Sequence, residues 1–124
     1  MHIRNLVSGV VFGAVALFAG SALAAGRSGG GVTVVDVTIY GSNAKITVSG
    51  TLSNTAATCG GVPNVQPNAF AMELGTTLGR AQLSMAMAAL LAGRVVHITG
   101  TFTNGDCLQT DVANQRLLQI SLPQ

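Results

Sequence analysis

The sequence predicts a mainly β domain with one helix, five strands in the order β-β-β-α-β-β and one disulfide. Three observations carry this. Short runs alternate apolar and polar residues, a single helical stretch separates the third run from the fourth, and the chain has only two cysteines, Cys59 and Cys107. Residues 32–40 open the pattern, with Val35, Val37 and Ile39 expected on one side and Asp36, Thr38 and Tyr40 on the other. Gly41-Ser42-Asn43 turns the chain. Residues 44–52 alternate again, Ala44, Ile46, Val48 and Leu52 inward and Lys45, Thr47, Ser49 and Thr51 outward, which makes a hairpin. Residues 53–68 read as a polar loop containing Cys59-Gly60-Gly61, Pro63 and Pro67. A short third strand, 70–74, carries Phe70, Met72 and Leu74 on its core side.

Gly75 ends that strand, Thr76 or Thr77 can cap the helix, and Gly93 stands where a helix C-terminal glycine belongs. The helix, 78–92, has only Arg80, Gln82 and Ser84 as polar residues. At about 100° per residue, Leu78, Ala81, Met85, Ala88, Ala89 and Ala92 gather on one face, and Leu83, Met87, Leu90 and Leu91 nearly opposite. One apolar face closes the domain's own core; the second needs another cover, so Leu83, Met87, Leu90 and Leu91 are the expected oligomer interface. Residues 95–103 form a fourth strand with Val96, Ile98 and Phe102 inward and His97, Thr99 and Thr101 outward. Asn104-Gly105-Asp106 turns into a loop with Cys107, and residues 116–122 are the last strand, Leu118, Ile120 and Leu122 facing the core.

Residues 1–24 read as a secretory signal peptide. His2 and Arg4 precede an apolar core over 6–19, and Ala22-Leu23-Ala24 places small residues at the processing site. That core is short of the roughly 20 apolar residues a membrane span needs. Residues 25–31 are a glycine-rich, flexible lead-in, and 32–124 a single domain. An even pair of cysteines in an exported chain reads as a disulfide, Cys59–Cys107, closing a loop of nearly fifty residues and stabilising by roughly 4 kcal/mol. The expected location is periplasmic or secreted.

Beyond the leader, five basic residues (Arg27, Lys45, Arg80, Arg94, Arg116) and four acidic ones (Asp36, Glu73, Asp106, Asp111) are scattered. No basic patch exists to hold phosphates, and the stacking aromatics that nucleic acid needs are missing, since alternation assigns Phe70 and Phe102 to the core and leaves only Tyr40. Past the leader His97 is the one histidine, with neither a free cysteine nor a second histidine for a nucleophilic or zinc site. Asn104, Asp106 and Asp111 lack the spacing of a calcium loop, and Asp36 and Glu73 are the only acids on strands. The chain is therefore expected to be no enzyme and to hold neither metal nor cofactor.

A helix between the third and fourth strands is the order of the OB-fold barrel. There the loops after the second and fourth strands, which carry Cys59 and Cys107, leave the same end, so disulfide and topology agree. In the stretch TTLGRAQLSMAMAALLAGRVVHIT (76–99) the chain resembles the OB-fold B subunits of AB5 bacterial toxins, of the subtilase-cytotoxin and typhoid-toxin type, and their small periplasmic relatives. The resemblance covers most of 32–122. It implies rings of five subunits, helices lining a central pore and glycans bound on an exposed face. The family's sugar-binding serine lies just before the first strand; Gly31 aligns best here, with Ser28 nearby. Ser28 and Tyr40 are thus the ligand-binding candidates. The expected function is an exported, non-catalytic, self-associating module that binds a glycan or protein partner; the alternative is a monomeric periplasmic protein with a structural or stress-related role.

Overall fold

The structure is a computed structural model and describes residues 26–123; the expected leader, 1–24, lies outside the described residues. Seven strands and one helix follow in order: β1 (Ser28–Tyr40), β2 (Asn43–Ser49), β3 (Ala69–Glu73), α1 (Thr77–Ala92), β4 (Val95–Gly100), β5 (Cys107–Gln109), β6 (Ala113–Gln115) and β7 (Leu117–Ser121). Five of them make one antiparallel sheet, β3-β2-β1-β4-β7, and β5 pairs with β6 in a separate hairpin. Among the described residues the chain is mainly β with one helix, and Cys59 and Cys107 are joined.

Two features of the expected fold need correction. The order is not β-β-β-α-β-β, because the segment after Asn104 folds into the β5–β6 hairpin rather than a loop. Nor is the sheet closed into a barrel: its edge strands β3 and β7 are linked by one isolated parallel bridge, Ala71 to Arg116, with no ladder between them. The physical reason lies in two glutamines. Gln115 donates its amide to the carbonyls of Pro67 and Ala69 on the β3 side, and Gln82 donates to the carbonyls of Leu117 and Leu118 on β7. Side chains satisfy edge groups that a barrel would have paired strand to strand.

β1 is long and bent. Its first half pairs with β4, its second with β2, and the register slips between Gly30 and Val32 on one side and between Val34 and Asp36 on the other. Such bulges sharpen a strand's bend and change which residues face inward. Hence Val32 and Val34 are buried and the bulged Val35, expected in the core, is exposed; Ile39, also expected there, stands opposite Ala44 near the end of β1 and is exposed as well. β4 ends at Gly100, short of the expected 103; beyond it Thr101 is buried and Phe102 exposed, opposite to strict alternation. In β7 the core takes Leu117 and Ile120 and leaves Leu118 partly exposed. The glycine-rich lead-in is strand from Ser28 onward; glycine offers no side-chain alternation to read, but its backbone fills the ladder with β4.

The core forms around Phe70, with Ile46, Val48, Met72, Val96, Ile98 and Leu117 from the sheet and Ala86 and Ala89 from the helix. Thr76 caps the helix, its Oγ1 accepting from Gly79 N at 2.9 Å, and Gly93 ends it with a φ of 64° that favours glycine. Gly79 lets the helix start close beneath β3: a Cβ there would lie 1.8 Å from the carbonyl oxygen of Glu73.

Candidate functional site

The helix faces differ from the two inferred from periodicity. Its buried residues are Gly79, Gln82 and Ala86, which lie between those faces, and Ala89, at the edge of the first. Small side chains let the helix approach the sheet closely, and Gln82 is drawn in because the β7 carbonyls need its amide. Of the expected interface residues, Leu83 and Leu90 pack against the chain's own core, while Met87 is 44% and Leu91 84% exposed. Leu78 is 62% exposed. Arg80 is the helix's only charged residue, and its guanidinium is turned back to donate to the Leu74 carbonyl at 2.8 Å. The outward face is thus apolar around Met87 and Leu91, and beside it Leu78, Ala81 and Met85 form with Leu118 and Ile120 a groove of about 180 Å³.

A second feature, of opposite chemistry, lies where β1 begins. Ser28 and Ser53 exchange both backbone hydrogen bonds, at 3.0 and 2.6 Å, and in the β1–β4 ladder Ser28 faces Thr99 and Gly30 faces His97. Ser28, Gly29, Gly30, Ser53, His97, Ile98 and Thr99 line an open cleft of about 250 Å³. Gly29 and Gly30 contribute bare backbone to its wall. No Lys, Arg, Asp or Glu side chain lines it. Ser28 therefore belongs to a cluster of three hydroxyls and an imidazole, which can donate to and accept from a polar, uncharged ligand. The sequence brought out Ser28 but set His97 aside as a surface histidine. Only the β1–β4 register places the two together.

Tyr40, the other ligand candidate, stands at the opposite end of β1, and the structure does not bring it to Ser28. The Lys45 Nζ lies 5.6 Å from its ring centroid, so its own chain already occupies the ring.

The remaining polar clusters fasten the β5–β6 hairpin to the sheet. Lys45, expected to point outward, is buried; its ammonium donates to Gln66 Oε1 at 3.2 Å and to both Asp111 oxygens at 3.1 Å. Hydrogen bonds from Gln66, Thr110 and Lys45 hold the exposed Asp111 carboxyl well below the usual carboxylate range. Arg116 Nε donates to Asp106 at 2.9 Å and its Nη1 to Glu73 at 3.1 Å. Burial pushes the Asp106 carboxyl up, but the bonds from Arg116 and Thr101 and the charge of Arg116 outweigh it, and its net shift is downward. Arg116 is shifted up, chiefly by its bond to Asp106. Glu73 is thus engaged by Arg116, and Asp36 accepts from Thr38 Oγ1 at 2.8 Å. Among the described residues no three His, Cys, Asp or Glu side chains cluster as metal ligands, and no helix is long and apolar enough to cross a membrane.

Compared with known proteins, the chain matches no family model, no curated protein and no solved structure.

Proposed function

We propose that this chain is an exported, non-catalytic binding module that self-associates through the outward face of α1. The carrying observation is that face, apolar at Met87 and Leu91, with the exposed Leu78 on the helix's other flank and its single charge directed back onto the chain. A lone helix on a small domain gains solubility from a charged outer face, and leaving so much apolar side chain in water is unfavourable by about 25 cal/mol per Å². A second copy is the fitting occupant: it presents the same apolar helix, whose one guanidinium is already engaged by its own Leu74 carbonyl. The scaffold is an OB-like, partly open arrangement; the β1-β2-β3 meander, the β1–β4 and β4–β7 pairings and the parallel Ala71–Arg116 bridge support that reading. Together with the resemblance to AB5 toxin B subunits, this favours a ring, with five copies as the model to test.

The ligand belongs in the Ser28–Ser53–His97–Thr99 cleft. Its hydroxyls and imidazole, with no lining Arg or Lys, favour a neutral, hydroxyl-rich glycan over an acidic one. Sedimentation velocity of the mature protein tests the assembly: a discrete oligomer is expected, converted to a folded monomer by Met87→Glu with Leu91→Glu. A wild-type monomer at micromolar concentration overturns it. A glycan array tests the ligand, with neutral and sialylated sugars in parallel. Binding to neutral sugars that Thr99→Val weakens is expected; binding only to sialylated sugars overturns the assigned class, and silence across the array overturns the glycan role.

The burial of Leu83 and Leu90 against the chain's own core favours a second reading, a monomeric periplasmic protein with a structural role. A wild-type monomer whose melting temperature is little changed by Met87→Glu with Leu91→Glu would support it, as both side chains are exposed in the single chain.

A further inference from the structure

We propose that Asn104-Gly105 is a latent deamidation site whose reactivity is gated by the Cys59–Cys107 disulfide. Among the described residues Asn104 is the one asparagine followed by glycine, the pairing in which no side chain hinders attack by the next residue's backbone nitrogen. In that reaction the Gly105 nitrogen loses its proton and bonds to the Asn104 side-chain carbonyl carbon. The C–N bond of the amide breaks, ammonia leaves, and a five-membered succinimide remains. Water then opens either carbonyl of the ring, giving aspartate or isoaspartate.

Both reacting groups are exposed and water-accessible, and both are engaged by one residue. The Gly105 N–H donates to the Thr58 carbonyl at 2.8 Å, and the Asn104 Oδ1 accepts from the Thr58 N–H at 3.0 Å. The nucleophile's proton is held, and the electrophile is turned toward Thr58. Thr58 directly precedes Cys59, and Gly105 lies two residues before Cys107. The disulfide thus ties together the two short segments that make the clamp. A dithiol reductant would transfer two electrons to the S–S bond, yielding two protein thiols and its own disulfide, and would leave the clamp with two hydrogen bonds and no covalent tether. Cyclisation then proceeds from the opened state in proportion to its population. Because deamidation does not reverse, a passing reduction is recorded as a permanent carboxylate beside Asp106 or as an isoaspartate that lengthens the turn.

The test is mass spectrometry of the peptide containing Asn104 after incubation at mildly alkaline pH. It compares the oxidised protein, the protein held reduced by dithiothreitol, and the Cys59→Ser, Cys107→Ser double variant. Deamidation at Asn104 is expected to be at least about tenfold slower in the oxidised protein than in the other two. Equal rates would overturn the proposal. Amide exchange of Gly105 in the oxidised protein gives a measurement independent of whether the reduced chain folds. Protection is expected, and an amide exchanging like an open loop would equally overturn it.

Discussion

Gln82 and Gln115 hold opposite edges of one open sheet, each amide donating to two edge carbonyls: Leu117 and Leu118 for Gln82, Pro67 and Ala69 for Gln115. They are not equivalent. Gln115 also buries an Oε1 with no partner, close to Gly100. Replacing Gln82 with Leu leaves carbonyls under-satisfied near the core and is expected to cost about 1–3 kcal/mol. Gln115→Leu loses the same kind of bond but also removes the orphaned oxygen, so its cost is expected to be the smaller. Urea midpoints of the two variants decide the order.

Lys45 and Asp111 form a pair of unequal burial, and the two deletions are expected to differ. Asp111→Ala strands a buried ammonium with only the Gln66 oxygen as acceptor, whereas Lys45→Met fills the same space and leaves an exposed carboxylate to water. Thermal melts should place Asp111→Ala well below Lys45→Met. The reverse order would mean that Lys45 contributes through its charge.

The acid response follows from Asp106 and Asp111, whose carboxyls are both held below their ordinary values. A depressed folded-state value adds stability that is fully present above the unfolded carboxyl's pKa, about 3.9, and is lost as pH falls through the folded value. These two groups therefore leave the melting temperature level from neutrality to about pH 5 and lower it below that. Asp106→Asn is expected to be less stable than the wild type at pH 7 by about 1 kcal/mol, with the difference narrowing as pH falls below the unfolded carboxyl's value. A constant difference across that range would exclude linkage through Asp106.

Gly79→Ala sets a local preference against packing. Alanine favours a helix by about 1 kcal/mol over glycine, yet the added Cβ meets the Glu73 carbonyl oxygen at 1.8 Å. The clash is with backbone, so the start of the helix must shift. A fall in melting temperature is expected, about 4–8 °C per kcal/mol lost in a domain of this size. A rise would show that the first turn of the helix yields freely.

Loss of the disulfide, which spans 48 residues, should remove roughly 4 kcal/mol if its effect lies in the unfolded chain. A matched melt with and without dithiothreitol measures this directly, and an unchanged midpoint would count against that account.

The sequence by itself determined the local elements: the β1–β2 turn, a threonine cap at Thr76 or Thr77, the Gly93 stop, the mid-chain helix and the cysteine pair, all set by residues within a few positions of one another or by the absence of any alternative partner. The inward set of β2, Ala44, Ile46 and Val48, was equally legible, because that strand runs without a bulge. Tertiary structure decided the rest. A bulge in β1 left Val35 as the extra, outward residue, and one in β7 put Leu117 rather than Leu118 in the core, since one extra residue in a strand reverses a period of two; Ile39, opposite Ala44 near the end of β1, and Phe102, beyond the end of β4, stay exposed. The β5–β6 hairpin is held by Lys45, Gln66, Asp106 and Arg116, whose pairings join distant segments and leave no periodic trace. The helix's inner face was settled by which side chain could satisfy the β7 carbonyls, so a glutamine went in and Leu91 stayed out. The meeting of Ser28 with His97 is likewise a fact of register, because it depends on which residue of β4 lies opposite each residue of β1.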